Sequence, residues 1–412
     1  MAGRPRAARR PFAGRRVVLG VSGGIAAYKS IQLARDLTVA GAAVDVVLTA
    51  GAGEFVRPLP FEALTGRPVH TDIYARGEAL AHIRLAREAS LVVIAPATAN
   101  FMARAAAGMA DDLLSAVLLA TEAPVLVCPA MNDRMYAHPQ TRANLERLRA
   151  IGYTLAGPAA GPLAWGEGEG EGRMLEPEAI LDHCARALED PSALAGKRVV
   201  VTAGPTREPL DPVRFLGNRS SGRMGYALAA SAWRRGARVT LISGPSALPT
   251  PTGVERLPVE TAAEMRDAVA AALPDADALI MAAAVADFRP ARPSPQKVKK
   301  EKGSPPELTL ESTDDVLLAT RDLRPAGCVT VGFALETEAP VEHGRAKLGR
   351  KDLDLLVVND ATEPGAGFEV ETNRVVLLDR GGGADELPLM TKHEVADEIL
   401  DRVAALIAGR RS

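Results

Sequence analysis

Short apolar, β-branched runs alternate along this chain with longer stretches whose apolar residues recur every three to four positions. Residues 17–21, V-V-L-G-V, read as a strand, and 25–40 carry helical periodicity. Further strands are expected at 44–48, 91–95 and 124–128, and a helix at 178–188. The run E-D-P-S-A at 189–193 breaks that helix, and the alternation then restarts. Strands are expected near Val199, Val239, Ala278 and Val329, with helices near Met224, Ala262, Val316 and Val341. Strands at 355–358 and 375–378 and a helix at 391–408 finish the chain. Strands apolar on both faces, separated by helices, are the mark of a mostly parallel sheet covered on each side. The pattern predicts an α/β protein of two doubly wound, Rossmann-like domains at 15–189 and 197–412. A linker at 190–196 joins them, and a disordered basic tail at 1–14 precedes them. The halves share a design but no residue-level repeat.

Composition narrows this picture. The 412 residues exceed what one hydrophobic core usually supports. Apolar residues make up 47% and aromatics 4%, so the cores must be rich in Ala, Val and Leu. A net charge of −2 gives no global attraction to nucleic acid or anionic membrane. Cys128, Cys184 and Cys328 lie far apart and form no C-x-x-C, which fits a reducing cytoplasm without disulfides or structural zinc. No run approaches the ~18 apolar residues of a spanning helix.

Candidate chemistry sits where the strands end. Ser22-Gly23-Gly24, Thr49, the turn Pro96 to Asn100 with Thr98, and Pro129-Ala130-Met131-Asn132 all close strands of the first half. Doubly wound sheets bind ligands at that edge, and helix N-termini there receive phosphates. The pocket implied suits a planar ring system with a phosphate tail. Gly-rich turns also close strands for structural reasons, and Asn132 equally reads as a helix N-cap. In the second half, the strand at 199–201 runs into a proline-rich loop carrying Arg207, Arg214, Asn218 and Arg219. Lys297-Val298-Lys299-Lys300 follows another strand end and Asp287; such a cluster reads either as a charged surface or as cations for a polyphosphate. Lys347 and Lys351, four apart, share one helix face. No Walker A motif is present.

The motifs S-G-G-I-A-A-Y-K at 22–29, Pro96 to Asn100 and P-A-M-N at 129–132 resemble those of FMN-dependent cysteine decarboxylases. Together with the 199–225 stretch, the chain resembles the bacterial bifunctional phosphopantothenoylcysteine decarboxylase/phosphopantothenate–cysteine ligase family of coenzyme A synthesis. The resemblance implies an N-terminal flavoprotein-type domain that holds FMN through Ser22, Gly23, Gly24, Thr49, Thr98, Asn100 and Met131. His82 would manage the thiol proton, Asn132 would bind the departing carboxylate, and Arg87 and Arg173 would meet the anionic substrate. The Gly-rich segment 161–174 aligns with the family's substrate-covering flap. Many members carry a proton-donating cysteine there, whereas this chain has Trp165. The implied C-terminal domain ligates 4'-phosphopantothenate with L-cysteine using CTP and Mg²⁺, through an acyl-cytidylate. Arg214, Asn218 and a flap Lys297 belong to that site, with Met281, Ala282, Ala283, Asp287, Phe333, Lys347 and Lys351 around the nucleotide. No metal site made of protein side chains is expected. The family builds homo-oligomers, trimers of one domain and dimers of the other, which together make a dodecamer. Trp165 motivates a rival reading, a ligase whose flavin domain binds FMN but no longer completes decarboxylation. A second rival, a non-catalytic flavin-binding interaction or regulatory protein, follows from such relatives of the family.

Overall fold

The computed structural model describes residues 11–77, 80–189, 193–299, 308–336, 340–360 and 372–410. The chain forms two compact units, 10–189 and 190–412, each described by itself.

The first unit runs β1 (Arg16–Val21), α1 (Ala27–Val39), β2 (Ala43–Leu48), α2 (Pro58–Thr65), α3 (Ala81–Glu88), β3 (Leu91–Ala97), α4 (Ala99–Ala106) and α5 (Leu113–Ala120). It continues with β4 (Val125–Pro129), α6 (Asp133–Ala137), α7 (Pro139–Ala150), β5 (Thr154–Leu155), β6 (Ala159–Pro162), β7 (Glu169–Arg173) and α8 (Pro177–Leu188). Among the described residues, β2-β1-β3-β4-β5 make one parallel sheet. Alternate residues of each strand feed two apolar layers: Val17, Leu19 and Val93 face α1 and α8, while Val18, Val92 and Ile94 face α3, α4 and α5. The strand order reverses between β1 and β3, and doubly wound sheets open a ligand crevice at that point.

The second unit begins β8 (Arg198–Ala203), β9 (Arg207–Pro209), β10 (Phe215–Gly217), α9 (Arg223–Arg234), β11 (Arg238–Ser243), β12 (Glu255–Pro258), α10 (Ala262–Ala272) and β13 (Ala278–Met281). Next come β14 (Phe288–Pro290), β15 (Leu310–Ser312), α11 (Val316–Ala319), β16 (Val329–Glu336), α12 (Pro340–Arg350) and β17 (Leu355–Asp360). It ends with β18 (Thr372–Asn373), β19 (Val375–Asp379), β20 (Ala384–Glu386), β21 (Met390–Thr391) and α13 (Lys392–Gly409). Its main sheet has the order β12-β11-β8-β13-β16-β17-β19-β20, parallel as far as β17 and antiparallel beyond. Its order reverses between β8 and β13, which sets the second crevice. α9 and α13 pack on one face with Val199, Val201 and Ile280, and α10, α11 and α12 cover Val200, Leu279 and Leu356 on the other.

Two expected irregular stretches are partly ordered. Positions 1–10 of the expected tail lie outside the described residues, but Phe12 is buried against the apolar layer of β1, β2 and α1. Positions 190–192 of the expected linker also lie outside, yet Leu194 is fully buried in the core of the second unit. In each case one large apolar side chain in a polar turn draws the backbone onto the sheet. Removing such a side chain from water is worth roughly 1.5–3 kcal/mol.

Candidate active sites

In the first unit, the ends of β1 and β3 are tied by Ser22. Its buried hydroxyl donates to the Pro96 carbonyl at 2.8 Å and accepts the Thr98 N–H at 3.0 Å. Thr98 in turn caps α4, accepting the Phe101 N–H at 3.3 Å. Thr49, at the end of β2, accepts the Ala52 N–H at 3.2 Å. A Cβ added at Gly23 would stand 2.5 Å from the Gly51 carbonyl carbon, and one at Gly24 3.2 Å from Thr98 Cγ2. The three strand-end segments therefore meet at backbone distance, and glycine at 23 is what lets them. Asn100 is exposed in the first turn of α4.

His82 lies in the first turn of α3, and its Nδ1 is buried without a hydrogen-bond partner among the described residues. Native proteins seldom leave such an atom unsatisfied, so it marks a place for a bound polar group. Arg87, in the last turn of the same helix, is exposed. Asn132 caps α6, its side-chain oxygen accepting the Arg134 N–H at 2.9 Å, which leaves its amide NH₂ as a donor.

The Gly-rich segment, expected as a flap, is an antiparallel hairpin of β6 and β7. β7 lies directly on the P-A-M-N turn, where Met131 N–H donates to the Gly172 carbonyl at 3.0 Å. A Cβ at Gly172 would be 2.2 Å from the Met131 oxygen, and one at Gly170 2.6 Å from Asp133 Cβ. Gly172 thus lets two backbones approach closely, and Gly170 makes room for the Asp133 side chain. Trp165, between the two strands, is fully exposed. Arg173 is turned toward Glu176, which also accepts from the buried Lys29 Nζ at 3.0 Å. Lys29 also donates to the Met174 carbonyl at 3.2 Å, a contact that helical periodicity gave no reason to expect. Burial pushes the thiols of Cys128 and Cys184 up, as for inert core cysteines.

In the second unit, one cavity of about 510 Å³ opens at the carboxyl ends of the strands. It gathers Asn218, Met281, Ala282, Ala283, Asp287, Phe333, Lys347 and Lys351, residues spread over more than 130 positions of sequence. Asn218 Nδ2 donates to the Val285 carbonyl at 2.8 Å, and Lys351 pairs with Asp315 at 2.8 Å. Arg214 and Lys297 do not line this cavity. Arg214 instead clamps the segment that bears Lys297. It donates to the Val298 carbonyl at 2.6 Å and to Asp211, whose carboxylate also accepts the Val298 N–H at 3.1 Å. The Arg214 guanidinium holds the Asp211 carboxyl well below the usual carboxylate range. Lys297 itself is exposed, and Lys300 lies outside the described residues. Sequence reasoning missed Arg223, Asn359, Asn373 and Lys392, which also line the cavity. Arg223 and Lys392 each open a helix, where the macrodipole disfavours a cation, and that anomaly was a readable signal.

Two doubly wound sheets, each with its crevice at a switch point, define a class of α/β proteins that bind phosphorylated, ring-bearing ligands. A flavoprotein family model matches residues 5–189, and a model of the DNA/pantothenate metabolism flavoprotein C-terminal domain matches 194–407. The coenzyme A biosynthesis bifunctional protein CoaBC of Vibrio cholerae is 46% identical over 393 residues, covering 94% of this chain and 98% of that protein. Its counterpart in Mycobacterium tuberculosis (strain ATCC 25618 / H37Rv) is 47% identical, covering 96% and 97%. The one in Escherichia coli (strain K12) is 45% identical, covering 95% and 97%. Among solved structures, the C-terminal domain of a CoaBC matches at 39% identity over 53% of this chain and 99% of its own, with a TM-score of 0.45. The FMN-dependent cysteine decarboxylase SpaF matches at 34% identity over 43% and 99%, with a TM-score of 0.37. The chain belongs to the family of bifunctional coenzyme A biosynthesis proteins, with a flavoprotein-type decarboxylase unit followed by a ligase unit.

Proposed function

We propose that the second unit joins 4'-phosphopantothenate to L-cysteine at the expense of CTP, and that the first decarboxylates the 4'-phosphopantothenoylcysteine so formed. The observation that carries this reading is the single cavity joining Asn218, the 281–283 strand end, Asp287, Phe333 and the two α12-side lysines. In the first step a pantothenate carboxylate oxygen attacks the α-phosphorus of CTP and pyrophosphate leaves. The cysteine amine then attacks the acyl carbon, CMP leaves and the amine proton is lost to solvent. Phe333 offers an apolar wall for the pyrimidine, and Asp287 an acceptor for its ribose. Mg²⁺ would travel with the triphosphate, whose oxygens are its preferred ligands. Lys297 reaches the phosphates only when its segment, clamped by Arg214 and Asp211, folds over the cavity.

In the first unit the residues present fit FMN. Small strand-end residues line the β1/β3 crevice, and the unsatisfied Nδ1 of His82 awaits a polar partner. Ser22, Gly23, Gly24, Thr49, Thr98, Asn100 and Met131 would hold it, and bound FMN supplies a reversible two-electron acceptor for the cysteine side chain. His82 takes the thiol proton, and the two-electron oxidation that FMN would supply would place an electron sink β to the carboxylate, so that CO₂ could leave. Asn132 Nδ2 holds the carboxylate as it leaves, and Arg173, released from Glu176, meets the substrate anion. Water admitted beside the exposed Trp165 would supply the proton that the enethiolate takes up. Similarity to bifunctional relatives over 94% of the chain favours this over an impaired flavin domain or a non-catalytic protein. The described helices include none long and apolar enough to cross a membrane, and we place the enzyme in the cytoplasm as a homo-oligomer, up to a dodecamer. Mass analysis of the products from phosphopantothenate, cysteine and CTP tests the reading. The 4'-phosphopantetheine mass should appear with CMP and pyrophosphate. Accumulation of undecarboxylated phosphopantothenoylcysteine would leave only the ligase.

A further inference from the structure

One carboxylate at the root of the β6–β7 hairpin serves two cations. Glu176 accepts from Lys29 Nζ at 3.0 Å and also pairs with Arg173, so one positive charge is left over. The two pairs are unlike. Lys29 lies in the first turn of α1 and is only 6% exposed, where burial and the helix dipole both disfavour a cation. Its Nζ bonds to Glu176 and to the Met174 carbonyl, so loss of the carboxylate would leave a buried ammonium on a neutral acceptor alone. Glu176 is the N-cap residue of α8, where the dipole favours its charge. The Lys29–Glu176 pair is thus fixed from both ends. Arg173 is less confined. Its side chain is 38% exposed and that of Glu176 52%, and an ion pair so open to water contributes little. Its Nη1 faces Gly161 of β6, which presents no side chain to it. The backbone on either side of Arg173 is tied down. The Gly172 carbonyl accepts the Met131 N–H and the Met174 carbonyl accepts from Lys29, so movement here is left to the arginine side chain.

We propose that Lys29 is a positioning residue of the decarboxylase. By keeping Glu176 neutralised, it lets Arg173 pass from Glu176 to the substrate anion without stranding the carboxylate. This rests on the reading that Arg173 meets that anion, and adds what governs its release. Without Lys29, Arg173 would be the only cation paired with Glu176 among the described residues. An arriving anion would then compete for it with a carboxylate three residues away. With Lys29 in place, Glu176 keeps a cation when Arg173 turns, and its repulsion of the incoming anion is offset.

The test is steady-state decarboxylation of phosphopantothenoylcysteine by the full chain, followed as CO₂ release. Substrate Kd is measured beside it by titration calorimetry in a His82→Asn background, where turnover is stopped. For Lys29→Met we expect KM and Kd to rise about three- to tenfold, with kcat within about twofold of wild type. Lys29→Met combined with Glu176→Gln should bring both back near wild type, because no carboxylate then holds Arg173. No rise in Lys29→Met, or a rise that persists in the double variant, overturns the proposal, since a purely structural tie is not restored by removing its partner. If Lys29→Met does not fold, as judged by circular dichroism, Glu176→Gln decides: its KM must not rise, and a rise overturns the proposal. Arg173→Gln tests the reading beneath it and should raise KM about tenfold or more. An unchanged KM there refutes the substrate contact itself. A raised KM in Arg173→Gln beside an unchanged one in Lys29→Met keeps that contact and overturns only the role of Lys29.

Discussion

Gly172→Ala probes the contact on which closure of the first site depends. The residue does not occupy the left-handed region, so alanine brings no backbone strain of its own. Its Cβ, however, would sit 2.2 Å from the Met131 carbonyl oxygen, and real Cβ contacts essentially never fall under 3.0 Å. β7 must therefore retreat by about 0.8 Å or more, because the obstructing atom is backbone and cannot rotate away. That retreat stretches the 3.0 Å Met131 N–H···O=C Gly172 hydrogen bond beyond useful length, at a net cost of about 1 kcal/mol. It also lifts Arg173 and the hairpin from Asn132. Displacements near 1 Å at a reacting centre can cost about a hundredfold in rate. The decarboxylase kcat/KM should thus fall by roughly that factor, with the Tm lowered by only about 2–4 °C. The ligase, in the other unit, should run at its normal rate. CO₂ release and CTP-dependent pyrophosphate release, measured on one preparation, give both numbers. Full decarboxylation by Gly172→Ala, with flavin bound normally, would refute the claim that the hairpin must sit on the P-A-M-N turn.

The remaining predictions concern single side chains. His82→Asn should abolish CO₂ release and spare ligation; loss of both activities in a folded protein would mean the two sites are not separate. Lys297→Gln should lower the ligase kcat/KM by about 10²–10³-fold while Lys299→Gln changes it little; equal mild effects would make the segment a charged surface and nothing more. Burial lowers the Lys392 pKa to about 8, so the Tm followed against pH reports its titration. The same depressed pKa makes the ligand-free fold gain stability as pH rises from about 8 toward the ordinary lysine range. There the unfolded chain still binds the proton and the folded one does not.

Much of the architecture was legible along the chain because it depends on local periodicity. Apolar runs such as 17–21 and 199–201 can only be strands buried on both faces, and the spacing at 25–40 can only bury one stripe of a helix. The resemblance of the motifs to the family, and not the periodicity, points to Asn218, Asp287, Phe333 and Lys347, which the fold brings to one cavity. Other features depend on which segments meet, and no local pattern carries that information. The glycines at 170 and 172 are small because the Asp133 side chain and the Met131 carbonyl lie against them, which no run of sequence shows. Arg214 read as a substrate ligand, and the fold uses it to clamp the turn that bears Lys297. Phe12 and Leu194 sat in polar surroundings along the chain and found their apolar partners only in space. Residues 223 and 392 reach one cavity because α13 packs parallel on α9, a pairing that no local pattern along the chain records.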